Sequence, residues 1–521
     1  MRWMTRALAV TLALIWLAAP SVRAGNVDGT VKVGGIIKDE HLGDVSAVPE
    51  TYNIYEGFSV SQVDLRARLG SRNYFHLDLR EVNLDSRKGL FTYRVPNLCS
   101  LTVRHDQHRQ LLDATGGTSS MRRDWRFGLK VTPTRSLRLV ADYGRQTRRG
   151  WRVGYPAGTA SFLGNTYDYT LQTGRFEVEG RHAGYSLTLG YELSRFEDDA
   201  MAAAKRRGGV FSVRLQGHGP VLPDRLTHVV SASFGTQELE AAGLKDKTSS
   251  VQYLGMFRAL PELQFNYRFS FGRVEAASTG QQTDNFRNDF DLTWYHRYGS
   301  LYGGYGRVTN DDYTALTSYD VWRIGGNATV AGKTKLKVGY ATSAKTDQNE
   351  RTLLRDIDAH RFDASVQSQV TPALTLGASF ADRTREYPII DVKAVGRRYG
   401  AFGRLAEDGL GAVSVDYTYS DDDYRDRVSG FRADNHAVSG RVDIEKIRDL
   451  RLSAGVTWLD IGKDLDIEKS ILSFSGQYDF LDDWFVEAKY NIYNHDDFIV
   501  VDRYYTANVI WLNLGYRLSV N

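Results

Sequence analysis

The sequence predicts one all-β wall closed on itself: a transmembrane antiparallel up-and-down β-barrel of about 26 strands, with short periplasmic turns and longer external loops. Three observations predict it. Apolar and polar residues alternate with period two along nearly the whole chain, in runs of about ten to fifteen residues, longer than the strands of most soluble sheets. The polar side of these runs carries Arg, Lys and Glu at mid-strand, which a dry sandwich core would not tolerate unpaired. The composition combines 30 Tyr, 23 Phe and 49 Gly with 25% charged residues and only 10 Pro in 521 residues. Lipid on one face and a wet lumen on the other give both residue classes a solvent.

Composition also excludes. Aromatics are too frequent and Pro too scarce for a disordered chain. One Cys rules out a disulfide framework, a cysteine zinc site and a C-x-x-C-H haem attachment on this chain. Lys+Arg 66 against Asp+Glu 63 leaves no one-signed field for a nucleic-acid partner.

Residues 1–24 read as a signal peptide: Arg2 and Arg6, an apolar run over Ala7–Pro20, and small residues at Val22 and Ala24. Residues 25–521 then form a single barrel domain, with a first strand near 27–37. Leu137, Leu139, Ala141 and Tyr143 share a face opposite Arg138 and Asp142. Tyr185, Leu187, Leu189, Tyr191 and Leu193 stand opposite Glu192, and Phe265, Tyr267, Phe269 and Phe271 opposite Arg268. Leu336, Val338 and Tyr340 alternate with Lys335 and Lys337. Trp484, Val486, Ala488 and Tyr490 alternate with Glu487 and Lys489, and Ile510, Leu512, Leu514, Tyr516 and Leu518 form the last apolar face. Tight turns recur from Gly70-Ser71 and Pro96-Asn97 to Thr371-Pro372 and Leu481-Asp482, with longer polar loops at 149–165, 346–354, 388–395, 424–433 and 498–503. This spacing counts out the 26 strands.

At about 4.8 Å between strands and a tilt of about 40°, such a wall has a circumference near ~160 Å and a diameter of roughly 50 Å. A hole of that size would make the outer membrane leaky, and this chain has no segment to fill it. The lumen is expected to hold another protein.

The segment NYFHLDLREVNLDSRKGLFTYR (73–94) resembles the N-terminal strands of the MtrB/PioB family, the barrel sheaths of porin–cytochrome electron conduits. The Pro-led hairpins VTPTRSLRLVADYGRQTRRGWR (131–152) and VTPALTLGASFADRTREYP (370–388) are similar to that family too. The resemblance implies an outer-membrane sheath around a periplasmic multihaem c-type cytochrome, with an extracellular multihaem cytochrome as a further partner. It places haem c on the partner and no cofactor on this chain. The chain departs from the family in having Cys99 alone where a Cys pair is frequent. A large outer-membrane porin for solute uptake is the alternative.

The expected partner contacts are the lumen-facing Arg138, Asp142, Glu192, Arg268, Lys335, Lys337, Glu487 and Lys489; the plainer reading is that they hydrate the inner wall. Trp458, Trp484, Tyr490, Trp511 and Tyr516 are expected at the lipid interface. His105 and His108 suggest a metal pair only weakly. Asp311-Asp312, Asp421-Asp422-Asp423 and Asp496-Asp497 are carboxylates of the kind that suits Ca²⁺, although acidic runs in external loops are usually just solvated. Cys99 reads as a small wall residue. No Ser-His-Asp order, nucleophile elbow, P-loop or zinc signature is present, so a non-enzyme is expected.

Overall fold

The computed structural model describes residues 27–43, 56–69, 73–111, 119–151, 166–199, 205–219, 224–277, 279–311, 316–347, 357–388, 391–425, 430–445, 447, 449–498 and 504–520. The proposed signal segment 1–24 and most of the longer loops lie outside the described residues. Twenty-six strands run in chain order from β1 (Val27–Gly43) to β26 (Tyr504–Val520), each antiparallel to its neighbour. β26 then pairs with β1, Val520 opposite Val27 and Tyr505 opposite Gly43, so no sheet edge is left open. Closure lets the wall amides pair inside the sheet, as lipid demands.

The register aligns the alternating apolar residues into one belt. Trp125, Phe127 and Leu129 of β6 (Ser119–Thr134) stand beside Leu139, Ala141 and Tyr143 of β7 (Leu137–Trp151). The row continues through Phe176 of β8 (Thr166–His182) to Tyr191 of β9 (Tyr185–Asp198) and Phe211 of β10 (Arg206–His218). Phe176 and Tyr191 are 51% and 46% exposed, in a belt too large for a soluble surface. From Tyr185 to Leu193, at about 2.5 Å of axial rise per tilted residue, the belt is about 20 Å tall, near the ~25 Å of an outer-membrane barrel. The belt therefore faces lipid, and the alternate residues line the lumen.

Three details depart from the expected wall. β1 reaches Gly43, beyond the expected end near 37. β3 (Asn73–Arg80) and β4 (Arg87–Val95) are short, and the turn 81–86 between them folds back over the wall. The loops expected at 388–395 and 424–433 shrink, because β20 (Val392–Glu407) begins earlier and β21 (Gly411–Arg425) and β22 (Gly430–Ile444) run further. Their charges stay in the strands by pairing: Asp423 meets Arg425 at 2.6 Å and Arg432 at 3.3 Å, and Asp421 meets Lys463 at 2.7 Å.

A wall has no central core. The most deeply buried side chains, Tyr505, Phe485, Ile36, Val63 and Ser59, belong instead to β26, β25 (Trp484–Asp497), β1 and β2 (Gly57–Leu69). Tight packing concentrates where first and last strands meet.

Candidate luminal site

The register puts all eight luminal candidates on the face opposite the belt, but in two electrostatic states. Arg138 Nη1 donates to Glu179 at 3.1 Å. Glu487 accepts from Lys32 and from Lys489, each at 2.9 Å. Asp142, Glu192, Arg268, Lys335 and Lys337 have no ion pair among the described residues.

Several other luminal arginines are neutralised two residues away on their own strand. Arg66 meets Asp64 at 3.1 Å, Arg80 meets Asp78 at 3.2 Å, Arg126 meets Asp124 at 3.1 Å, and Arg441 meets Asp443 at 2.8 Å. Arg361 pairs with Asp363 in the same way. Residues two apart on a strand share a face, so the pattern is readable as D-x-R or R-x-D. Alternation read by polarity alone does not carry the sign of the charge. Cross-strand clusters occur too: Arg323 of β16 (Leu316–Val330) reaches Asp291 at 2.7 Å and Asp289 at 3.3 Å on β14 (Gln281–His296), and Asp479 meets Arg517 at 2.7 Å and Arg451 at 3.7 Å.

Among the described residues, the seam carries an apolar luminal patch built from separate elements. In the turn 81–86, Glu81 N–H donates to Ser61 O at 3.0 Å and Val82 N–H to Val60 O at 2.9 Å. Asn83 Nδ2 donates to Phe58 O, and its Oδ1 accepts from Val60 N–H, both at 2.7 Å. These bonds continue the β3 ladder after the strand ends. Leu84 then packs with Ile36 and Val509, flanked by Tyr493 and Trp511. Burial raises the Glu81 carboxyl above its ordinary range, against the opposing pull of Lys88, Lys489 and Arg80. Beside this patch Phe485 lies over Gly515, where a Cβ would sit 2.1 Å from the ring, so only glycine admits it.

Trp511 corrects the expected girdle. It pairs with Lys489 and Ile36 in the luminal parity, and its ring joins the Leu84 cluster rather than lipid. Ile510 and Leu512 occupy the outward parity on either side. Trp458, Trp484, Tyr490 and Tyr516 are outward: Trp484 and Tyr516 have ring centroids 4.8 Å apart, and Trp458 Nε1 donates to Glu468 at 2.9 Å.

Three residues apart on one strand, His105 and His108 of β5 (Cys99–Leu111) point to opposite faces, and His105 stacks on Trp125 at 4.0 Å. Asp421 and Asp423 lie in β21 rather than a loop and face away from Asp422, so the three carboxylates cannot converge on one ion. Asp312 lies outside the described residues. Asp311 closes β15 (Gly299–Asp311), while Asp496 and Asp497 end β25 on alternating parities. Cys99 is a half-buried residue at the start of β5. Among the described residues no three metal-ligating side chains converge.

A closed 26-stranded wall with an apolar outer belt and a charged lumen defines a porin-like barrel of the Gram-negative outer membrane. No family model and no curated protein matches the chain. Solved structures of similar fold include the FrpB iron transporter of Neisseria meningitidis, at 10% identity and TM-score 0.52 over 95% of this chain and 81% of that one. A mutant of the ferric enterobactin receptor of Pseudomonas aeruginosa, in complex with enterobactin, is similar at 11% identity and TM-score 0.50 over 95% and 82%. At these identities the likeness is one of fold.

Proposed function

We propose that this chain is a non-enzymatic sheath whose lumen holds a second protein, a periplasmic multihaem c-type cytochrome that carries electrons across the outer membrane. The observation that supports it is the width of the lumen against what the chain puts inside. Barrel diameter grows with strand number, so 26 strands enclose about 2.6 times the area of a 16-stranded porin. Among the described residues, the segment that folds back, 81–86, packs against the wall rather than across the lumen. The paired luminal charges support the same reading, since they make a hydrated surface of mixed sign rather than a filter for one ion. The occupant's identity rests on the MtrB/PioB resemblance of 73–94, 131–152 and 370–388. All haem belongs to that partner, and an extracellular multihaem cytochrome completes the path.

Purification from the native membrane, followed by haem staining, tests this. Co-purification of a haem protein is expected, and a barrel isolated with no second protein overturns the proposal. The fold shared with an iron transporter favours a second reading, solute uptake. Stable single-channel conductance of a defined, solute-dependent size from the chain alone in a planar bilayer selects that reading instead.

A further inference from the structure

We propose that the outward face of β6 and β7, just above the apolar belt, holds phosphate groups of an outer-leaflet glycolipid. The site is a cavity of about 300 Å³ lined by Met121, Arg123, Trp125, Arg145, Thr147 and Arg149. Trp125 is opposite Arg145 in register, and both lie on the parity of Phe127 and Tyr143, so the cavity opens toward lipid. It lies on the side of the 152–165 connection, whereas the short turn 135–136 and the chain termini lie at the other end. Short turns are periplasmic in such barrels. The cavity therefore meets the outer leaflet at headgroup height.

Two of its three arginines have no counter-ion among the described residues. Arg145 has no hydrogen bond or ion pair among the described residues. Arg123 donates to Gln107 Oε1 at 3.0 Å and to Met121 Sδ at 3.2 Å, neither a counter-ion. Only Arg149 has a carboxylate, Asp168 at 3.0 Å. The same row continues through Gln172 to Arg195, which pairs with Glu197 at 2.6 Å, and to Arg207. Several outward arginines above the belt elsewhere have carboxylates, as in Arg273–Asp284 at 2.8 Å and Arg397–Asp382 at 3.2 Å. Guanidinium groups bind phosphate oxygens in a fork, and an interfacial Trp, here braced by His105 at 4.0 Å, suits the boundary between acyl chains and headgroup. A phosphorylated sugar headgroup supplies both the anion and the apolar chains that run down the belt.

The test is native mass spectrometry of the detergent-purified full chain titrated with bisphosphorylated lipid A, its dephosphorylated form, and inorganic phosphate. Wild type should retain lipid A, hold the dephosphorylated form about tenfold more weakly, and keep its lipid in millimolar phosphate, since charge-assisted bonds are each worth roughly a tenfold change or more. Arg123→Gln/Arg145→Gln should lose about tenfold in retention, Arg145→Lys should lose part of it, and the luminal Arg268→Gln should lose none. Heat-modifiable migration on gels checks that each barrel is assembled; if the double variant fails to assemble, Arg145→Lys and Arg145→Gln alone decide. Unchanged retention by the assembled variants, equal retention of the dephosphorylated lipid, or displacement by inorganic phosphate overturns the proposal, the last by showing a free-anion site.

Discussion

Glu487 links β25 to β1 across the full width of β26, and the barrel closes at that place. Its carboxylate accepts two ammonium donors at 2.9 Å, and the residue is only 9% exposed. Glu487→Gln keeps the shape and removes the charge, leaving Lys32 and Lys489 without a counter-ion. Breaking a buried ion pair costs about 3–5 kcal/mol. The Lys489 side chain is 45% exposed, so screening reduces its share to below about 1 kcal/mol. Lys32 is less accessible, and its ammonium also lies 5.4 Å from the Phe485 ring, which softens the loss. The expected destabilisation is about 2–3 kcal/mol, at or just below the bottom of the buried-pair range. Denaturant unfolding in lipid vesicles, followed by tryptophan fluorescence, measures it. The reasoning depends on coupling, so the decisive experiment is the cycle of Glu487→Gln, Lys32→Met and the double variant. The double variant should lose at least about 1 kcal/mol less than the sum of the single losses. Additive losses within about 0.5 kcal/mol would refute a seam held by this pair.

The turn 81–86 and the seam beside it give three further predictions. Leu84→Ala removes the side chain that packs on Ile36 and Val509 and should weaken docking of the turn by about 2–3 kcal/mol; hydrogen exchange should rise at 81–86 and stay unchanged in β13 (Leu263–Ala276). Because burial raises the Glu81 carboxyl, the docked turn holds its proton more tightly than the released turn. Docking is then strongest at low pH and weakens as pH rises from the ordinary Glu range through the raised value. Exchange at 81–86, corrected for its intrinsic pH dependence, should show this in wild type and lose it in Glu81→Gln; a flat wild-type profile counts against the assignment. Gly515→Ala drives a methyl into the Phe485 ring and should cost about 1–3 kcal/mol in the same unfolding assay, with most of the loss recovered in Gly515→Ala/Phe485→Leu.

Much of the wall was legible in the residues because lipid enforces a strict parity. One slipped residue would turn a whole strand inside out, so runs such as Tyr185–Leu193 announce their faces without any tertiary information. Turn spacing was readable for a related reason, since closure leaves each strand only a short link to the next. Trp511 shows the rule being overlooked: the parity of Ile510, Leu512 and Leu514 already places it inward, while residue type alone suggested a lipid girdle. The turn 81–86 was harder to see. Val82 and Leu84 shift the apolar parity of Phe75, Leu77 and Leu79 by one residue, and contact with Ile36 and Val509, remote in sequence, shows what the turn packs against. The outward arginine cavity was invisible for another reason: Arg123 and Arg145 are ordinary strand residues until registry brings them together.

The paired luminal charges bear on what recognition in the lumen depends on. Exposed pairs such as Arg66–Asp64 contribute little stability, about 0–1 kcal/mol each. Their effect is to cancel the field of the wall close to its surface. A neighbouring protein then feels chiefly the charges left over, among them Arg268, Lys335 and Lys337, while Asp142 and Glu192 flank Arg175 in register and are partly offset by it. If the lumen holds a protein, removing unpaired cations should disturb its capture more than removing paired ones. Arg268→Gln/Lys335→Gln/Lys337→Gln should lower the amount of co-purifying haem protein and flatten its dependence on salt, because complementary charge acts most strongly on encounter. Arg66→Gln/Arg126→Gln/Arg361→Gln removes the same charge number but frees three carboxylates, so it changes local sign without removing an available cation. Equal loss in both triple variants would mean that the partner reads only net charge, and the division of the luminal wall into cancelled and available charges would have no part in recognition.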